Sequence, residues 1–367
     1  VDEVIEEARL AEEAGFDSCF FGEHHQDKDG FLPSPLIVAT AVAANTSTLR
    51  VGTSVVLLPL HNPLQVAEDV LTLDIVSKGR VTLGVGLGYQ PADFQAFDIA
   101  IEERVSRLEE GVAVIRGCWS NQPFSFHGKH YQFSGINFLP RPVQKPHPPI
   151  WVGGQSRRAM RRAAELGNGW HPVGAIPAAP LEPEDLAGDL VHLHRYAEAA
   201  GRDPGELDVA IKAPLYDSGL SSSGSLSNTD RRRFSGQPEQ ILQDIQTYTD
   251  VGVTHIALYL SPGDQCGHAI DHHRVHRAAA HQVLGDLQGL LGIVGLGEEQ
   301  IVYDYSTARR VPWVQGVLRV DVRGRAACPL SRGHDVVGEG RFTGRLDPED
   351  LGHPPLGDSA DAEGQVE

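Results

Sequence analysis

The chain of 367 residues carries 31 basic and 49 acidic side chains, a formal net charge of −18. So acidic a surface excludes nucleic acid and anionic membrane as whole-surface partners and leaves room only for a local basic pocket around one phosphate. The 41% apolar fraction is ample for a large core, and the four cysteines (Cys19, Cys118, Cys266, Cys328) are scattered without a C-x-x-C. We therefore expect free thiols in a reducing, cytoplasmic setting, with no membrane span and no visible signal peptide.

The chain opens in a helix. In VDEVIEEARLAEEAGFDS, Val1, Ile5, Ala8 and Ala11 recur at helical spacing between acids, and Gly15 is a natural stop. The strand SCFF follows. The same alternation continues with a helix from Pro35 to Ala44, the strand RVGTSVVLL, the helix LQVAEDVLTLDIVSKG and the strand RVTLGVGLG. In IEERVSRLEEGVAVIRGCW, Ile101, Val105, Leu108, Val112 and Ile115 line one helical face. Later strands are PPIWVGG, GWHPVG, LDVAIKAPL and HIALYLS, separated by helices Arg157 to Leu166, Pro183 to Ala200 and Pro238 to Val251.

Helix and strand in alternation, with β-branched strands buried on both faces, predict a parallel sheet. Seven such strands, the first preceded by a helix, predict an α/β TIM (β/α)8 barrel over residues 1–291 that lacks its first strand. A truncated N-terminus or a late gene start would account for that. Counting the missing strand as the first, an insertion after strand 4, Ser120 to Pro149, reads as a hairpin excursion with an extended lead-in to the next strand. Asp217 to Gly236 reads as a mobile Ser/Gly loop. Residues 292–367 lose the helical period and read as a poorly ordered tail. Within it VLRVDVRG could form a strand, which is not assigned to the missing place.

In such barrels the chemistry sits where strands end. Those positions carry Glu23-His24-His25, Leu58-Pro59-Leu60-His61, Gly86-Leu87-Gly88-Tyr89, Gly153-Gly154-Gln155-Ser156, Trp170-His171-Pro172 and Lys212. Side chains alternate along a strand, so His24 faces one way and Glu23 with His25 the other. His24 and His25 therefore do not share a metal. One of them can serve as a proton donor or acceptor, or both can be structural. In WVGGQSRRAM a strand runs through Gly153-Gly154 into a helix beginning near Ser156. Free amides, the helix dipole and the Ser156 hydroxyl suit a phosphate, with Arg157 or Arg158 nearby; the alternative is a tight turn and a helix cap. GVGLGY lacks the third glycine of a dinucleotide fingerprint. Its glycines suit close approach of a flat ring, with barrel packing as the competing explanation. His272 and His276, one helical turn apart in HAIDHHRVHRAAAH, lack the glutamate of a zinc motif, and no metal is expected.

Four blocks in order, GEHH at Gly22 to His25, LLPLHNPLQVAEDVLTLDIVSKGR at Leu57 to Arg80, LGVGLGYQPADFQAF at Leu83 to Phe97 and PPIWVGGQS at Pro148 to Ser156, make the chain resemble the bacterial luciferase-like flavin-dependent monooxygenases up to about Leu291. The resemblance implies a TIM-barrel oxidoreductase. It places His24 as an acid/base group near the flavin, Gln155 and Ser156 after Gly154 at its phosphate, Ser54 and Val55 under its isoalloxazine, often through a cis peptide, and Gly88 and Tyr89 in the loop beside phosphate and ring. It implies reduced FMN delivered by a separate NAD(P)H-dependent flavin reductase, molecular oxygen, a small organic substrate, and a homodimer through the early helices. Two further readings accompany it: a deazaflavin-dependent hydride-transfer enzyme, and a non-catalytic flavin-binding partner subunit. The chain departs from the pattern at Leu87, where luciferase subunits carry a phosphate-binding arginine, and in its missing first strand.

Overall fold

The computed structural model describes residues 1–13, 15–26, 32–120, 123–172, 174, 181–216, 233–234, 238–261 and 315–319. Helix α1 (Asp2–Glu13) buries Val4, Ala8 and Ala11, and Gly15 at φ +87 turns the chain into β1 (Ser18–Phe21). Then follow α2 (Pro35–Asn45), β2 (Arg50–Thr53), a 3-10 turn (Leu58–Leu60), α3 (Pro63–Val76) and β3 (Val81–Val85). Next come α4 (Pro91–Ala96), a second 3-10 turn (Ile101–Glu103) and α5 (Arg104–Cys118). The excursion holds an antiparallel hairpin of β4 (Phe124–His127) and β5 (Gln132–Ile136). The remaining elements are β6 (Ile150–Gly153), α6 (Arg157–Leu166), β7 (Gly169–His171), α7 (Pro183–Ala199), a third 3-10 turn (Pro204–Glu206), β8 (Asp208–Tyr216), α8 (Pro238–Val251), β9 (His255–Ser261) and β10 (Gln315–Arg319).

The barrel closes in the order β1-β10-β9-β8-β7-β6-β3-β2. Seven strands are parallel, and β10 enters antiparallel between β1 and β9, with Ser18 opposite Val317 and Ala257 opposite Val317 on the other side. The eighth position, for which the sequence pattern offers no parallel strand, is thus taken by Gln315–Arg319, which shares Val317, Leu318 and Arg319 with the VLRVDVRG segment. Most of the predicted Ser/Gly loop, His272, His276, Cys266, Cys328 and the rest of residues 292–367 lie outside the described residues.

The second strand is shorter than its apolar run predicts. Ladder pairing ends at Thr53, Val56 makes a single bridge to Val85, and Leu58–Leu60 coils into the 3-10 turn. Inside, Phe20 of β1 stacks on Trp151 of β6 at 5.1 Å and 8°, and Trp151 meets His255 of β9 edge-on at 4.8 Å. These rings come from well-separated strands, so they fill the lumen as a packed core. Gly52 makes room for them, since a Cβ there would lie 2.5 Å from the Phe20 ring. The excursion is tied down by Asp74 of α3, whose buried carboxylate accepts N–H bonds from Val143 (2.6 Å) and Gln144 (3.1 Å) and from the Gln144 side chain (2.9 Å). Cys19 and Cys118 are free and buried, and burial raises both thiols, Cys118 to about 11. Among the described residues no helix is long and apolar enough to cross a membrane.

Candidate active site

The parallel strands carry their C-terminal ends to one rim of the barrel. There stand His24 after β1, Ser54 and Val55 after β2, Gly88 and Tyr89 after β3, Gly154 to Ser156 after β6 and His171 closing β7. Three of these are joined through His171. Its Nδ1 lies 2.6 Å from the Ala210 carbonyl, which can only accept, so Nδ1 carries the hydrogen. Burial, helped by the Lys212 charge, lowers the ring to about 4 and keeps it neutral. Nε2 is then a lone pair, and the buried Ser54 hydroxyl donates to it at 2.7 Å. The His171 carbonyl in turn accepts the Gly154 N–H at 3.1 Å.

The Ser54–Val55 peptide is cis, and Val55 lies over the glycines of the neighbouring strands. A Cβ on Gly86 would meet Val55 Cγ2 at 2.5 Å, one on Gly84 would meet the Thr53 carbonyl at 2.0 Å, and one on Gly153 would come 3.5 Å from Val55 Cγ1. Barrel packing therefore accounts for Gly84 and Gly86, rather than the approach of a flat ring expected from GVGLG. Gly88 has a different reason: its φ is +72 and Phe94 packs against its Cα side. Tyr89 is 75% exposed.

Gly154 sits at φ +121, and an added Cβ would strike the Ala159 side chain at 2.8 Å. Only glycine passes there, and its carbonyl accepts from Trp170 Nε1 at 2.7 Å. Ser156 caps α6, its Oγ accepting from the Ala159 N–H at 3.2 Å. The cap consumes a lone pair and leaves the hydroxyl hydrogen to donate outward, beside first-turn amides that have no acceptor inside the helix. Gln155 is half-buried, and Arg157 reaches Asp189 at 3.6 Å.

Just beyond the end of β1 lies a second polar group. Glu23 and His25 meet on one side, His25 Nε2 donating to Glu23 Oε1 at 2.7 Å. His61, after the 3-10 turn, donates to the same oxygen at 2.6 Å, and Oε2 accepts the Leu57 N–H at 2.7 Å. Burial pushes the Glu23 carboxyl up, but the hydrogen bonds from His25, His61 and Leu57 outweigh it and hold the group at about 2. The bond to Glu23 raises His25 against the opposing effect of burial. His24 is half-buried, and its N–H donates to Leu32 O at 3.1 Å.

The sequence places His61 and His171 at strand ends without indicating a partner for either. Their polarity at those positions was the available signal; the carboxylate and hydroxyl they meet lie 38 and 117 residues away in the chain.

The profile of the luciferase-like monooxygenase family matches residues 1–217. The oxygenase component of a flavin-dependent trigonelline monooxygenase from Acinetobacter baylyi is 28% identical over 168 residues, 45% of this chain and 46% of that protein. An F420-dependent glucose-6-phosphate dehydrogenase from Kineococcus radiotolerans is 28% identical over 296 residues, 70% of this chain and 86% of that protein. The crystal structure of monooxygenase RslO1 from Streptomyces bottropensis superposes with a TM-score of 0.54 at 31% identity, covering 59% of this chain and 65% of that one. The chain thus spans about half the length of the trigonelline enzyme and slightly under two thirds of RslO1.

Proposed function

Since the chain belongs to the luciferase-like monooxygenase family, we propose that it is the oxygenase of a two-component system, taking reduced FMN from a separate NAD(P)H-dependent reductase and oxidising a small organic substrate. The observation that carries this reading is the joined set Ser54–His171–Gly154, which links a polar floor to a glycine turn opening a capped helix. Reduced FMN, when bound, supplies the electrons with which molecular oxygen is activated for insertion of one oxygen atom into the substrate.

The residues present fit such a cofactor. Gly154 keeps the approach to α6 free of a side chain, the Ser156 hydroxyl and the first-turn amides offer donors to a phosphate, and Arg157 and Arg158 add positive charge. With Leu87 where luciferase subunits carry arginine, the α6 end takes the larger share of phosphate binding. Ser54 and Val55 support the ring, and Val55 presents an apolar face over Gly84, Gly86 and Gly153. His24 follows β1 at the same rim, and on this reading its imidazole exchanges a proton with the substrate. The β4–β5 hairpin, whose connecting turn donates backbone N–H groups to Glu110 and whose Tyr131 hydroxyl donates to the His61 carbonyl, keeps water out of the mouth.

A second reading is favoured by the broader coverage of the F420-dependent relative: hydride transfer through a deazaflavin on the same rim. The two separate by titrating the full chain anaerobically with reduced FMN and with reduced deazaflavin, then admitting oxygen. Saturable binding of reduced FMN and oxygen uptake coupled to substrate oxidation support the first. Binding of deazaflavin alone transfers the assignment to the second, and binding of neither removes both.

A further inference from the structure

Glu23, His25 and His61 form a cluster that the flavin reading leaves without a task. The ligand atoms of the three side chains all lie within 4.8 Å of one another, with both imidazole Nε2 atoms converging on Glu23 Oε1. The carboxylate is oriented by the Leu57 N–H on its other oxygen. Phe97 covers both rings, its centroid 4.8 Å from His25 and 6.5 Å from His61. Asp93, at the start of α4 and 2% exposed, keeps Oδ1 buried without a hydrogen-bond partner, and its charge acts on His25.

We propose that Glu23, His25 and His61 bind a divalent transition ion of the zinc type, with Asp93 supplying a second buried negative charge beside it. Two imidazoles and a carboxylate suit Zn²⁺, Co²⁺ or Ni²⁺ rather than the all-oxygen shells of Mg²⁺ and Ca²⁺. Metal–ligand bonds of about 2.0–2.2 Å require ligand atoms roughly 3.3 Å apart in a tetrahedral site. The 2.6 and 2.7 Å separations therefore open by a little over half an ångström as the two Nε2 hydrogens leave. Each ring then keeps its one hydrogen on Nδ1, a neutral ring by moving it from Nε2 and a protonated ring by releasing the Nε2 proton to solvent. The opening is small for His61, whose side chain is 31% exposed. The two carboxylates offset the ion's charge, and the Leu57 N–H holds Glu23 in the way that outer partners orient metal ligands. Bound there, the ion clips the end of β1 to the start of α3 and steadies the segment that carries His24. The proposed site is built by Glu23, His25 and His61 and does not include His24.

The test uses the full chain, stripped with a chelator and desalted, then titrated with Co²⁺ and followed by visible absorption, with Zn²⁺ displacement and thermal unfolding alongside. One equivalent should give a four-coordinate cobalt spectrum, yield to Zn²⁺, and raise the melting temperature. His25→Ala and His61→Ala should each weaken that equivalent at least about tenfold. His194→Ala, which removes an exposed imidazole of α7, should keep it. Histidines elsewhere, including His272 and His276, are present in every variant, so only the signal lost in the two cluster variants counts. In the native chain, Zn²⁺ should protect His25 and His61 from diethyl pyrocarbonate, read by mass spectrometry, which keeps the test valid if a variant fails to fold. Absence of a bound equivalent, its retention in both cluster variants, or equal modification with and without Zn²⁺ overturns the proposal.

Discussion

Ser54 Oγ and His171 Nε2 lie 2.7 Å apart although β2 and β7 are separated in the sheet by β3 and β6. The two side chains meet across the intervening strands, beside a close approach in which a Cβ on Gly84 would strike the Thr53 carbonyl and one on Gly86 would strike Val55. A neutral, buried imidazole thus holds a hydroxyl at the rim.

This arrangement makes stability depend on pH. Folded His171 titrates at about 4, whereas in the unfolded chain it takes its proton near 6.5. Between these values the unfolded state binds more protons. The stabilisation is complete above the upper value and is lost as pH falls toward the lower, by up to about 1.4 kcal/mol per pH unit. Denaturant melts at pH 7, 6 and 5 should show a steeper loss for the native chain than for His171→Gln, in which the position does not titrate. Parallel curves would show that burial of His171 does not set this slope.

Gly86→Ala should cost about 1–3 kcal/mol by driving a methyl into Val55. Combining it with Val55→Ala should recover part of the loss, since the two positions share one space. A double-mutant cycle with a coupling above about 0.5 kcal/mol is expected, and simple additivity would contradict the packing explanation.

Gly154→Ala meets both a positive φ and the Ala159 side chain. It should weaken FMN binding about tenfold or more, equivalent to about 1.4 kcal/mol, while Ser156→Ala also removes the cap at about 1 kcal/mol of stability. Comparing FMN with riboflavin isolates the phosphate. Both variants should lose the preference for FMN, and an unchanged preference would move the phosphate elsewhere.

His24→Ala should lower the rate of substrate oxidation by about 10²–10⁴-fold while leaving cofactor affinity nearly unchanged. Single-turnover product yield with pre-bound reduced cofactor measures this directly. Full yield would return His24 to the structural role left open by its sequence.

Asp74→Asn replaces an acceptor oxygen with an amide donor facing the N–H groups of Val143 and Gln144. A loss of about 1.5–3 kcal/mol is expected. Hydrogen exchange should rise in 143–144 before the barrel strands respond; a uniform rise would mean that Asp74 supports the barrel as a whole.

Much of the architecture was legible in the chain. The helix–strand period marked seven parallel strands, Gly15 stopped α1, and α6 runs from Arg157 to Leu166 as read, because local propensity and patterning specify elements one at a time. The same rule put His24, Ser54, Gly154 and His171 at one rim and paired Glu23 with His25. What the linear order could not reveal were partners from distant segments. His61 on Glu23, His171 on Ser54 and Val55 over Gly86 depend on how strands curl into a closed cylinder, and no local spacing encodes that closure. The filling of the eighth place was likewise decided only in three dimensions: β10 enters antiparallel, against the direction that the repeat implies, because a barrel edge needs backbone partners and takes them wherever the chain can supply them.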